Sequence, residues 1–184
     1  MRLASLPILL LFLFGFCACS GGEPAADTPV ATTEVEPVIL QLSALEDFTL
    51  PEKQDYAPAY RHKQKNALAI NAAEYKDRYA IAEYVFAGEH ATYSVELTSL
   101  KETDGESTYQ LFIDDKLVAS ATNDPTEVDY QPQTHKLGKI TVRPGQRISL
   151  AFNSHSNGKI PEGDAFAFSR GRWTGLKLVL ERRI

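Results

Sequence analysis

After residue 19 the chain contains no cysteine; its two cysteines, Cys17 and Cys19, both stand near the N-terminus. A folded domain downstream therefore has no disulfide framework. Histidine is scarce and scattered, with His62, His90, His135 and His155 at no metal-ligand spacing. The chain has no nucleophile elbow, no glycine-rich phosphate loop and no Cys/His pair. Ser154-His155 carries no information, because neighbours in a strand point to opposite faces. A glycosidase needs two facing carboxylates, and 24 acidic residues supply some pair by chance, so acids alone do not indicate one. These absences argue against an enzyme. Positive charge is also lacking: 19 Lys+Arg stand against 24 Asp+Glu, a formal net charge of −5, and nothing in that balance suggests nucleic acid. No convincing amphipathic helix and no internal repeat occur.

What is present begins with an address. Arg2 is the sole charge in residues 1–19, Ile8–Phe14 is an unbroken apolar run, and small residues with cysteine follow. That is the layout of a signal peptide, too short to span a bilayer as a mature helix. The run Phe16-Cys17-Ala18-Cys19-Ser20 resembles a bacterial lipoprotein signal, with Ala18 before the cut and Cys19 as the acylated residue; Phe16 stands where that pattern has leucine. An ordinary cleaved secretory signal is the alternative. Ser20 after the cysteine resembles the outer-membrane sorting pattern, which implies an envelope lipoprotein facing the periplasm or the surface. Several acyl chains on one cysteine exceed the marginal anchoring of a single chain. Residues 20–37 are small, acidic and proline-containing, with no aromatic, a composition expected of a disordered tether.

Residues 38–184 are enough for one core. Val38–Leu42 is a short apolar run, followed by Ala44–Leu50 and then by Glu52–Lys65, which reads as a long loop. Ala67–Ala73 is strand or a helical turn, and Tyr79–Phe86 is a strand ended by Gly88. In Ala91–Leu100, Tyr93, Val95 and Leu97 share a face, the period of a half-buried strand. Asp104-Gly105 is a hairpin signal before the Tyr109, Leu111, Ile113 alternation, and Asp114-Asp115 turns the chain into Lys116–Ala121. Asn123–Thr134 reads as loop; Lys139–Val142 and Arg147–Phe152 flank the Pro144-Gly145 turn. At the C-terminus, Ala165–Arg170 and Thr174–Glu181 have strand character, and Leu176, Leu178 and Leu180 place the second inside a sheet. Nine or ten short strands with turns every eight to twelve residues predict an all-β sandwich or jelly roll.

Arg170 and Arg172 fall two apart, beside the single tryptophan, Trp173. A guanidinium makes paired hydrogen bonds to hydroxyls or carboxylates, and an indole stacks on a sugar's apolar face. The alternative is that Trp173 closes the core and the arginines pair with loop acids such as Glu162 and Asp164. Tyr56, Tyr60, Tyr75, Tyr79 and Tyr130 lie on or beside loops, where each packs or serves a ligand. Glu46-Asp47 and Asp104/Glu106 offer oxygens to a calcium ion without forming a complete motif.

The order of these elements resembles the galactose-binding-like β-sandwiches of carbohydrate-binding module families six and thirty-five. ALEDFTL (44–50) resembles their opening strand with its acidic pair, and DRYAIAEYVF (77–86) with EHATYSVEL (89–97) resembles their aromatic hairpin. ETDGESTYQLFIDDKLV and NGKIPEGDAFAFSRGRWTGLKLV resemble a domain found in polysaccharide-degrading bacteria beside sulfatases and glycosidases. The resemblance implies a structural calcium with Glu46 as one ligand, although the final strand offers no aspartate for the second. It implies ligand loops with aromatics and an asparagine, for which Tyr79, Trp173 and Asn153 are the counterparts by position. Together with Arg170 and Arg172 they form the expected site, with Trp173 at least partly exposed and an acidic polysaccharide as ligand. The expected function is a non-catalytic, lipid-anchored polysaccharide-binding module, with polysaccharide-degrading enzymes as neighbours. The alternative is a structural or protein-interaction lipoprotein with no sugar site.

Overall fold

The computed structural model describes residues 38–184; the expectations for the leader, Cys19 and residues 20–37 lie outside the described residues. In chain order the strands are β1 (Ile39–Ser43), β2 (Ala59–His62), β3 (Ala67–Ile70), β4 (Tyr79–Val85), β5 (Ala91–Leu100) and β6 (Thr108–Ile113). They continue with β7 (Lys116–Thr122), β8 (Pro132–Val142), β9 (Arg147–Asn153), β10 (Pro161–Glu162), β11 (Ala165–Phe166) and β12 (Trp173–Arg183). A 3-10 turn at Lys63–Lys65 is the sole helical element among the described residues, so none of their helices is long and apolar enough to cross a membrane.

Two antiparallel sheets face each other. One runs β2-β3-β12-β5-β8, with β1 also on β12; the other runs β4-β9-β6-β7. The all-β sandwich expected from the strand pattern is the observed architecture. As its leucine alternation requires, β12 is interior: it pairs with β5 from Trp173 to Arg183 and with β1 from Gly175 to Val179. Leu176 and Leu178 are fully buried, and Leu180 packs partly against the same core. Across the sandwich Ile148, Leu150 and Phe152 of β9 and Tyr109 and Leu111 of β6 complete the packing. Trp173 stands edge-on to Phe48, with ring centroids 4.9 Å apart, and to Phe152 at 6.0 Å.

Four segments differ from the sequence-based expectation. Ala44–Asp47 is a turn rather than an opening strand, because Asp47 folds back: its carboxylate accepts from the Ser43 N–H at 2.6 Å and its own N–H donates to the Ser43 carbonyl at 3.0 Å. Within 52–65 the chain forms β2, which returns into β3 through Asn66 in the left-handed region (φ 50°), a conformation asparagine tolerates. β8 begins at Pro132, inside the expected loop; as an edge strand it has one unpaired side, where a missing N–H is tolerated. Finally, Ala165–Arg170 contributes only the two-residue arm β11, beyond which Ser169 is anchored to His155 and Ser107.

Candidate functional site

The two chain segments with the most distinctive sequence, 101–106 and 169–173, meet at one end of the sandwich. Two glycines let both segments pack closely against residues 153–155. A Cβ on Gly105 would lie 1.9 Å from the His155 carbonyl oxygen, and one on Gly171 (φ 59°) would lie 2.6 Å from that of Asn153. Between them sits Glu102, 5% exposed. Its carboxylate accepts from the Arg170 backbone N–H at 2.7 Å and pairs with the guanidinium of Arg172, which is 3% exposed.

The rest of the Arg172 fork is also used. Nε donates to His62 Nδ1 at 3.0 Å, which requires that nitrogen's lone pair. Burial first, then the charges of Arg172, Arg170 and Lys65, hold His62 below its ordinary pKa and favour that neutral form. Burial pulls the guanidinium's own pKa down, opposed by Tyr60, yet arginine starts so high that it stays a cation at neutral pH. Above this buried pair lies Tyr130, in the left-handed region at φ 67°. For a bulky side chain that is a strained conformation, of the kind that concentrates at ligand sites. Its ring, 37% exposed, has the Arg172 guanidinium 5.1 Å and the Lys65 ammonium 3.6 Å from its centroid. Tyr60 flanks His62 at 6.0 Å. The result is a partly exposed aromatic ring with the Lys65 ammonium over its face, seated on a buried ion pair.

Beside it, Arg170 points outward and lines a hollow of about 30 Å³ with Asp104, Glu162, Ala72, Ala167 and Phe168. One Asp104 carboxylate oxygen is buried without a partner among the described residues. Burial, together with the negative charges of Asp129 and Glu162, raises the Asp104 pKa, against the pull of Arg170. Lys76 stands 5.4 Å over the Phe168 ring. The hollow is wide enough for a water or the edge of a sugar, not for a ring. Roomier hollows of about 490 Å³ at Leu50–Ala59 and about 670 Å³ at Leu45, Glu46, Arg61 and Lys63 lie elsewhere. In the first, the Lys53 ammonium is already bound to Glu83 at 2.6 Å.

The structure brings Arg170, Arg172 and Trp173 to this end but gives them separate tasks. The expectation that Trp173 sits partly exposed is corrected: as the first residue of β12 it is fully buried, its indole packed edge-to-face against Phe48 and Phe152. Its Nε1 has no hydrogen-bond partner among the described residues. Arg172 is likewise sealed, bound to Glu102 and His62. Asn153 and Tyr79 are cross-strand partners, yet the Asn153 side-chain oxygen accepts from the Thr108 N–H at 2.6 Å, and Tyr79 is half-buried, with its pKa raised by burial.

Glu46 does not fit the implied calcium site. It shares its hollow with two cations, Arg61 and Lys63, and its neighbour Asp47 is turned onto Ser43. Where β12 meets this turn it presents Thr174, whose carbonyl accepts from the Ala44 N–H at 2.9 Å, and no group of three or more potential metal ligands occurs among the described residues.

Sequence reasoning missed Glu102, Lys65 and His62 as parts of one cluster. Glu102 stands two residues before the Asp104-Gly105 turn, and its burial comes from Arg170 and Arg172, about 70 residues further along the chain. It also missed a buried polar knot: the Ser99 hydroxyl lies 2.6 Å from Asn123 Oδ1 and 2.9 Å from His135 Nε2, with Asn123 reaching the Tyr109 hydroxyl at 3.3 Å. All four residues are buried.

No family model matches the chain, and no curated protein does. Solved structures do. A Paenibacillus xanthan lyase is 17% identical over 77% of this chain and 13% of its own, with a TM-score of 0.53. The CBM36-1 domain of a multidomain xylanase from the hindgut metagenome of Trinervitermes trinervoides is 11% identical over 77% of this chain and 96% of its own, with a TM-score of 0.49. A CBM36 carbohydrate-binding module in complex with calcium and xylotriose is 17% identical over 75% of this chain and 97% of its own, at 0.45. At these identities the likeness is one of fold. The all-β sandwich that the strand pattern predicted is the fold of residues 38–184, and it is this architecture that the chain shares with the xanthan lyase.

Proposed function

We propose that this protein is a non-catalytic polysaccharide-binding module, anchored to the outer membrane by lipid on Cys19 with residues 20–37 as a spacer, and that its ligand lies across Tyr130. The observation that carries this reading is the Tyr130 ring. It is held in a strained backbone conformation, partly exposed, with Tyr60 and His62 nearby and Lys65 at its face. Aromatic faces stack on the apolar face of a sugar ring, and a guanidinium or ammonium at the rim binds its hydroxyls or carboxylates. Arg170, exposed and in no ion pair among the described residues, extends the rim towards Asp104 and Glu162. The cations Lys65, Arg170 and Lys76 favour an acidic polysaccharide, so binding weakens as salt screens them. Nothing in the cluster is arranged for turnover: the His62 Nδ1 lone pair is taken by Arg172, and the Glu102 carboxylate by Arg172 and the Arg170 N–H. The natural setting is beside enzymes that degrade the same polysaccharide.

Affinity electrophoresis against uronate-rich, sulfated and neutral polysaccharides tests this. Retardation by at least one acidic polysaccharide, reduced by added salt, is expected. Migration unchanged by every polysaccharide, with an intact circular-dichroism spectrum, supports the structural or protein-interaction lipoprotein instead.

A further inference from the structure

The turn that follows β1 is the place where the resemblance implies a bound calcium ion, and its polar groups are already committed. The carbonyls of Leu45 and Phe48 point to one side of the turn. Both accept from the same guanidinium: Arg61 Nη1 donates to Leu45 and Nη2 to Phe48, the latter at 2.8 Å. Asp47 spends one oxygen on the Ser43 N–H. Glu46 opens into the hollow shared with Arg61 and Lys63, where a further cation meets two positive charges before it meets the carboxylate. The final strand brings a single acid, Glu181, and that is bound to Lys139 at 2.5 Å.

Arg61 comes from β2, the edge strand paired with β3, and across that pairing its partner is the fully buried Leu68. Its position is therefore set by the sheet and not by the turn. A guanidinium is a planar, permanently charged donor of five N–H groups, suited to clamp two carbonyls in fixed geometry. A calcium ion at this position needs six to eight oxygens, and the two carbonyls that face it are occupied.

We infer that Arg61 supplies the positive charge at this turn internally, and that the fold needs no divalent cation. The side chain fastens the turn that delivers Phe48 into its perpendicular contact with Trp173. The clamp thus acts on the core as well as on the loop.

Thermal unfolding of the full chain in buffer containing millimolar CaCl2 or EDTA is the test, run on the wild type, Arg61→Met, Arg61→Lys and Glu46→Gln. The expected outcome is one Tm for the wild type in both buffers and no change in Glu46→Gln. Arg61→Met should lower Tm by roughly 2–4 °C in both buffers, the shift of a lost ~1 kcal/mol in a domain of this size. Arg61→Lys, which keeps the charge but loses the two-pronged geometry, should fall between. A wild-type Tm that rises with CaCl2 and drops back with EDTA overturns the inference, as does an Arg61→Met protein as stable as the wild type.

Discussion

Two arginines of this domain hold carboxylates, one just before β12 and one on β9, and they do so at different depths. Arg172, behind β12, meets Glu102 with both side chains at 5% exposure or less and with Tyr130 folded over the pair. Arg147, on β9, bonds Asp115 at 2.5 Å and stands 3.3 Å from Glu83, which also holds Lys53; the Arg147 and Asp115 side chains are 35% and 69% exposed. The Arg147 Nε contact with Glu83 is close without the angle of a hydrogen bond. The first pair has surrendered its hydration and needs every remaining bond, from His62 and from the Arg170 N–H. The second keeps its water, and screening leaves it little to contribute. Composition is the same in both places; burial separates a structural keystone from a surface ornament.

Removing one member of each pair breaks the comparison most sharply. Arg172→Ala or Glu102→Ala leaves a buried charge without its partner and should cost about 3–5 kcal/mol in urea unfolding. Because the buried pair is the floor beneath Tyr130, binding should fall as well. Leu178→Ala, a purely apolar loss in β12, should cost about 2–5 kcal/mol and serves as the scale. Arg147→Ala should cost at most about 1 kcal/mol. A loss at Arg147 equal to that at Arg172 would contradict the account.

Acid sharpens the contrast further. His62 and His135 both have pKa values lowered, chiefly by burial. Below the ordinary imidazole value of about 6.5 the unfolded chain takes up protons that the folded chain refuses. Stability is therefore complete above that pH and is lost as pH falls towards the folded values. Unfolding midpoints measured from pH 7.5 down to 5 should decline, and Arg147→Ala should decline in parallel, since it leaves both histidines in place. A wild-type profile flat across this range would remove the histidines from the account. A smaller expectation concerns Trp173: its emission should be that of a buried indole and resist aqueous quenchers, with or without polysaccharide.

The sheet framework was legible because its signals are local. Alternation in 91–100, in 109–113 and at Leu176, Leu178 and Leu180 needs no distant partner to be read, and Asp114-Asp115 turns where the pattern breaks (φ 46° and 67°). Arg170, Arg172 and Asn153 lie at one end of the molecule, as their closeness in sequence suggests. What sequence does not carry is which face is sealed. Trp173 opens β12 into the core and Arg172, just before it, is bound to Glu102 and His62; the indole's place is set by Phe48 and Phe152, 125 and 21 residues upstream. Tyr130 was one tyrosine among several until Lys101, Arg172 and Lys65 assembled beneath and beside it, from segments far apart in the chain.

The central claim is that the exposed half of this cluster binds while the buried half supports it. Titration calorimetry of Tyr130→Ala and Lys65→Ala with a polysaccharide that retards the wild type tests it most directly. Tyr130→Ala should lose binding by tenfold or more, as expected from about 1–3 kcal/mol for an aromatic anchor, while Lys65→Ala weakens it less and flattens its salt dependence. Both should unfold close to the wild-type midpoint. Undiminished affinity in a folded Tyr130→Ala protein would contradict the account and place the ligand elsewhere on the sandwich.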